Sequence, residues 1–173
     1  MDIGSKAGYP AGALSNFSPH PFTFDGVVCA SMEGLLQAFK FDKPHVQVEV
    51  CKLVGLAAKR RGGDRTKTWQ QVQKLWWAGQ EYERKGDGYQ ELLDRAYIAM
   101  ARDSDSFRRA LLASQQAVFT HSIGRSKENE TVLTVREFCG RLHKLRDLLQ
   151  AGANMAEVTT LSNRSKPKEE LLV

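Results

Sequence analysis

The chain has 173 residues and a formal net charge of +5, with 42% hydrophobic and 26% charged residues. This is the balance of one globular domain, and it excludes a wholly disordered, collagen-like or coiled-coil chain. No stretch approaches the roughly 20 consecutive apolar residues of a membrane span, and Met1–Lys6 lacks the apolar run of a secretory signal, so a cytoplasmic location without a membrane partner is expected.

The cysteines, Cys29, Cys51 and Cys139, have no CxxC spacing and lie in apolar surroundings. They are expected as buried free thiols, with neither a disulfide framework nor a metal site. The basic surplus favours anionic partners such as phosphates, nucleotides or nucleic acid.

One domain is expected over about residues 8–150. The remainder, 151–173, reads as a disordered tail; its Ser162–Glu170 stretch is rich in Ser, Lys and Glu. The opening segment is irregular. Phe22–Phe24, the turn dipeptide Asp25-Gly26 and Val27–Cys29 predict a short hairpin. Ser31 is a plausible N-cap, followed by Met32, Leu35, Leu36 and Phe39 on one helical face. Further helices are predicted at about 45–60, 69–78, 89–102, 105–114 and 134–149. Gly62-Gly63 and Gly86–Gly88 mark loops, and Thr134 with Glu137 fits a capping box. The predicted class is α+β, predominantly helical.

Three features could carry chemistry. Glu33, Gln37 and Lys40 recur at i, i+4 and i+7, so they form one polar stripe beside the apolar face. That stripe is either a solvated face or a carboxylate turned to a cleft, and Glu33 sits where the helix dipole favours an anion. The basic, glycine-containing segment Lys59–Lys67 leads to Trp69. It reads either as a solvated loop before a core Trp, or as a phosphate grip beside an indole that stacks a base, worth about 1–3 kcal/mol. One of Trp76 and Trp77 is expected in the core, because adjacent helical residues diverge by about 100°. The segment Thr120–Arg125 holds His121, able to move protons near neutral pH, then Gly124 and Arg125, whose guanidinium suits a phosphate. A lone His is equally at home in a structural role. There is no Walker A loop, no GxGxxG and no GxSxG elbow, which argues against common ATPases, dinucleotide oxidoreductases and α/β hydrolases.

The order of these pieces resembles the NADAR, or YbiA-like, family. Leu14–Phe17 resembles its LSNF motif, and Pro21–Gly26 its PF-x-hydrophobic-DG hairpin. Ser31-Met32-Glu33, Gln37-Ala38 and Lys40-Phe41 are similar to its S-x-E-H-x-x-Q-A-x-K-F helix, Leu111–Ser114 to LLAT, and Leu142–Arg146 to the closing L-x-x-x-R. The resemblance spans about residues 9–148 and implies a single YbiA-like domain with N-glycosidase activity. Its known members act on ribosylamino-pyrimidine phosphates of riboflavin synthesis or on ADP-ribose attached to guanine in DNA. It implies Glu33 and Trp69 as catalytic; the family's acidic third residue does not carry over, and His121, or else Glu128 or Glu130, is the candidate read from this sequence to replace it. Ser15, Asn16, Phe17, Gln37, Lys40, Lys59, Gly124 and Arg125 would then line the substrate side. The family's His after the motif glutamate is Gly34 here. The implied reaction needs water and no cofactor. The partner is a phosphorylated ADP-ribosyl or nucleotide-like substrate, with DNA as one form of it. The alternative class is a nucleotide-binding module that holds ADP-ribose without hydrolysing it.

Overall fold

The computed structural model describes residues 1–161. Among them are seven helices and four strands, in an α+β arrangement dominated by helix. The strands form two separate antiparallel hairpins. The first pairs β1 (Phe22–Phe24) with β2 (Val27–Cys29). Its turn places Asp25 and Gly26 at φ 47° and 79°, the left-handed pair that matches strand twist and that Asp-Gly supplies.

The centre of the fold is α1 (Met32–Ala38), all seven residues of which are buried. Ser31 starts it: its Oγ accepts from Gly34 N at 3.1 Å and donates to Leu53 O at 3.0 Å. Around α1 pack α2 (Pro44–Cys51), α3 (Gly55–Gly63), the first hairpin and α5 (Asp87–Asp103). The close approach depends on Gly34. A Cβ there would lie 2.6 Å from Leu53 O and 3.1 Å from Val50 O, both backbone atoms that cannot swing aside. Gly34→Ala is therefore expected to cost about 1–3 kcal/mol through overpacking, read as a lower denaturant midpoint at unchanged slope.

The predicted helix at 45–60 is two helices. Gly55 at φ +55° redirects the chain, and the run of apolar residues that suggested continuity crosses that bend. Gly62-Gly63 is not a loop but the last turn of α3. The helix expected at 69–78 is α4 (Thr66–Val72), which ends on left-handed Gln73, φ 52°. A second hairpin follows, β3 (Lys74–Trp77) against β4 (Gln80–Glu83), turning on Ala78 and Gly79 at φ 51° and 84°. Trp77 is buried and Trp76 only partly so, as expected, but by strand alternation rather than helical divergence. Gln47, also buried, fastens this hairpin: its Nε2 donates to Trp76 O at 2.8 Å and its Oε1 accepts from Ala78 N at 3.2 Å.

Gly86 is the N-cap of α5, and α6 (Asp105–Ala113) and α7 (Val135–Gln150) complete the helices. The capping box at Thr134 and Glu137 is formed. All three cysteines are free and buried. No helix among the described residues is long and apolar enough to cross a membrane. Beyond α7, Met155 and Leu161 are buried in the same core as the helices, so packing continues into the stretch read as a tail. The Ser162–Glu170 part of that stretch lies outside the described residues.

Candidate active site

A cavity of about 620 Å³ opens beside α1. Its walls come from the N-terminal segment, α1, α3, α4, the 121–133 segment and the start of α7. Glu33, in the first turn of α1, is 9% exposed. Its backbone N–H donates to Asn16 O at 3.1 Å, which ties the Ser15-Asn16-Phe17 segment over the helix start. Tyr97 OH donates to Asn16 Oδ1 at 2.8 Å, so the Asn16 side chain is held from the α5 side. Ser15 Oγ accepts from Phe17 N at 3.2 Å and shapes the turn between them.

One helical turn on, Gln37 Nε2 donates to Glu33 Oε1 at 2.8 Å. The Gln37 amide lies against Gly62, where any Cβ would collide with its Oε1. This explains a glycine in the last turn of α3. Lys40 is 8% exposed and its Nζ donates to Thr66 Oγ1 at 3.3 Å. Burial pushes the Glu33 carboxyl above its usual range, against the opposing pull of the Gln37 bond and of Lys40, Lys59 and His121. Burial likewise lowers the Lys40 ammonium to about 8, against the attraction of Glu33. A carboxyl and an amine are thus both drawn toward neutrality in one cleft, a pattern associated with functional sites.

Trp69 lines the cavity but is only 1% exposed. It forms part of the wall rather than an open stacking face, and its Nε1 has no hydrogen-bond partner among the described residues. His121 also lines the cavity, its Nδ1 2.7 Å from Ile3 O. Gly124 and the exposed Arg125 follow it at the rim.

Glu33, Trp69 and His121 and the eight residues expected on the substrate side all line this one cavity. The basic segment is an exception to its expected form. It is helix at both ends, and of its five Lys and Arg side chains only Lys59 lines the cavity. The Arg61 guanidinium lies 4.5 Å from the Phe41 ring centroid and that of Arg65 5.8 Å from it, so both are engaged in packing. Sequence reading missed Thr66, Gln70 and Phe138 as lining residues, together with Thr131, Val132 and Leu133. Phe138 showed only as a core position of α7, and 131–133 carry no motif. Of the two alternative acids, Glu130 reaches the cavity and Glu128 does not line it. The missing His at position 34 has a physical reason, because the carbonyls that exclude a Cβ leave no room for an imidazole.

A buried short helix packed between the first hairpin, α2, α3 and α5, with a charged cleft along its polar stripe, defines a YbiA-like α+β protein. The NMR structure of the E. coli protein YbiA matches with a TM-score of 0.58 and 19% identity, over 88% of this chain and 85% of that one. The resemblance drawn from the motifs holds at the level of the fold. The chain belongs to the bacteriophage protein GP30.3 family, whose model matches residues 8–147. A 17.1 kDa protein from the Gp30-rIII intergenic region of Enterobacteria phage T4, described as uncharacterized, is 36% identical over 150 residues; the match covers 86% of this chain and 98% of that protein.

Proposed function

We propose that this protein is an N-glycosidase that hydrolyses the N-glycosidic bond of an ADP-ribosyl or ribosyl-phosphate adduct, with ADP-ribose on guanine, in DNA or a free nucleotide, as the favoured substrate. The observation that carries this reading is the Glu33 carboxyl, buried in a cleft beside Lys40, Lys59 and His121. In the reaction the C1′–N bond breaks, a water oxygen bonds to C1′, one water proton passes to a protein base and a proton is delivered to the leaving nitrogen. The sugar becomes oxocarbenium-like on the way, so a carboxylate at its face stabilises it. Glu33 takes that role and activates the water. Its raised affinity for protons makes it a better base than an exposed carboxylate. His121 carries the second proton, donating it to the leaving nitrogen and regaining one from solvent. Lys40, Lys59 and Arg125 supply positive charge for the phosphates, and Trp69 shapes the wall against the base.

The Lys40 ammonium adds a pH signature. It is charged below about 8 and loses its proton above that value. KM for a phosphorylated substrate is therefore expected to rise as pH passes about 8. In Lys40→Met, KM should be raised about tenfold or more already at neutral pH, the worth of a charged hydrogen bond, and should no longer rise there. Steady-state kinetics from pH 6 to 10 check both.

One observation favours a second reading. Of the five Lys and Arg side chains of the 59–67 segment only Lys59 lines the cleft, and Arg61 and Arg65 pack on Phe41. A compact monophosphate, such as a ribosylamino-pyrimidine phosphate, needs fewer cations than a polynucleotide and matches that lining. The test is to incubate the protein with ADP-ribosylated guanine DNA and, separately, with ribosylamino-pyrimidine phosphate. Release of free ADP-ribose supports the first reading, and release only from the pyrimidine supports the second. Binding without release from either overturns both and leaves a nucleotide-binding module.

A further inference from the structure

The first three residues run beside the cleft wall that carries His121. Asp2 pairs with Thr120 in an isolated parallel bridge, and Ile3 N donates to Thr120 O at 2.8 Å. The Asp2 carboxylate then clamps the residue beyond His121. Its Oδ1 accepts from Ser122 N at 2.8 Å and from Thr120 Oγ1 at 3.1 Å, and its Oδ2 accepts from Ser122 Oγ at 2.6 Å. These bonds, the Ser122 hydroxyl foremost, hold the Asp2 carboxyl below the usual carboxylate range. Ile3 anchors the segment, with its side chain 1% exposed in the core.

The Ile3 carbonyl is the partner of His121 Nδ1, at 2.7 Å. A carbonyl can only accept, so Nδ1 carries the proton, and in the neutral ring Nε2 keeps its lone pair. Two further contacts hold the ring. Phe138 meets it edge-on with centroids 5.3 Å apart. On its Cδ2 side the chain passes so closely at Gly124 that a Cβ there would lie 2.5 Å away. Nε2 has no hydrogen-bond partner among the described residues, and His121 lines the same cavity as Glu33.

We infer that Asp2 is a positioning residue, whose clamp on Ser122 sets the Ile3 carbonyl against His121 and holds the imidazole through Nδ1–H, so that Nε2 is the nitrogen that takes up and gives the proton on the substrate side. The task given to Nε2 rests on the N-glycosidase reading, whereas the tautomer does not. The experiment is nitrogen-15 NMR of the histidine rings in the full chain, at a pH where the ring shifts themselves show a neutral imidazole, combined with steady-state kinetics. In the wild type, His121 is expected to show a protonated Nδ1 and an unprotonated Nε2. In Asp2→Ala the ring should shift toward the Nε2–H form. There kcat should fall about tenfold, the scale of a misplaced reacting group, while KM changes less than twofold. Asp2→Asn, which keeps an oxygen for the Ser122 N–H, should recover part of both. Ser122→Ala removes one arm of the same clamp and serves if Asp2→Ala does not fold. A wild-type ring in the Nε2–H form overturns the inference, and so does a clamp variant with an unchanged ring signature or an unchanged kcat. If the wild type turns over neither substrate, the proposed function fails while the ring signatures still decide whether Asp2 positions His121.

Discussion

Glu33→Gln is expected to lower turnover by roughly 10²–10⁴-fold, the usual cost of removing a positioned acid–base group, while leaving the fold intact. The variant keeps an oxygen to accept from Gln37, whose Nε2 lies 2.8 Å from Glu33 Oε1, so the local geometry survives. On the proposed function, what is lost is the negative charge facing the sugar and the ability to take a proton from water. Stability should move the other way. Burial raises the Glu33 carboxyl above its usual range. A folded-state pKa above the unfolded value of about 4.3 means that ionisation at neutral pH opposes folding. Tm of the variant at pH 7 is therefore expected to equal or exceed that of the wild type, the trade of stability for activity found at functional sites. A parallel fall in activity and Tm would instead mark Glu33 as a structural residue.

Arg84→Ala is expected to be the most destabilising of the substitutions considered, by about 3–5 kcal/mol, the cost of breaking a buried ion pair from one side. Arg84 is 1% exposed. Its guanidinium forks onto Glu137, at 2.7 Å and 3.1 Å, and its Nε donates to Thr131 O at 2.8 Å. Glu137 in turn accepts from Thr134 N at 2.8 Å and Gln90 Nε2 at 2.6 Å, so the pair joins β4, α5 and the cap of α7. Arg84→Lys should rescue little, because an ammonium cannot make the planar fork and the carbonyl contact together. The same group has a pH consequence. Burial pushes the Glu137 carboxyl up, but the bonds from Arg84, Thr134 and Gln90 outweigh it and the net shift is downward. Its contribution is thus present above the ordinary carboxylate range and lost as pH falls through the lower folded value. Chemical denaturation of Arg84→Ala between pH 2 and 7 should show both the lower midpoint and a flatter acid limb. Thr131 belongs to the cleft wall, so activity should fall along with stability.

The parts of this fold legible in the sequence are those with local chemistry. Asp25-Gly26 forms its turn because those residues accept positive φ, and Ser31 and Thr134 cap helices because a hydroxyl can reach the free N–H groups. The polar stripe Glu33, Gln37 and Lys40 was readable because helical spacing alone places it on one face. The second hairpin was not, because Ala78-Gly79 is a weak turn signal and Trp76-Trp77 suits a buried helix as well as a strand. That Arg61 and Arg65 would be drawn onto Phe41 was equally hidden, since the ring lies outside their helices and the contact is tertiary. The choice between a core Trp69 and a stacking platform is hidden for the same reason: its burial is decided by elements distant in the chain.

The most direct test of the account is a single-turnover reaction of the wild-type protein with ADP-ribosylated guanine in ¹⁸O-labelled water, with the products weighed by mass spectrometry. The account predicts free ADP-ribose carrying one heavy oxygen at the sugar, and an unlabelled, restored guanine. Intact adduct at the end of the reaction, or label appearing on phosphate or base, would contradict cleavage of the N-glycosidic bond at the Glu33 cleft.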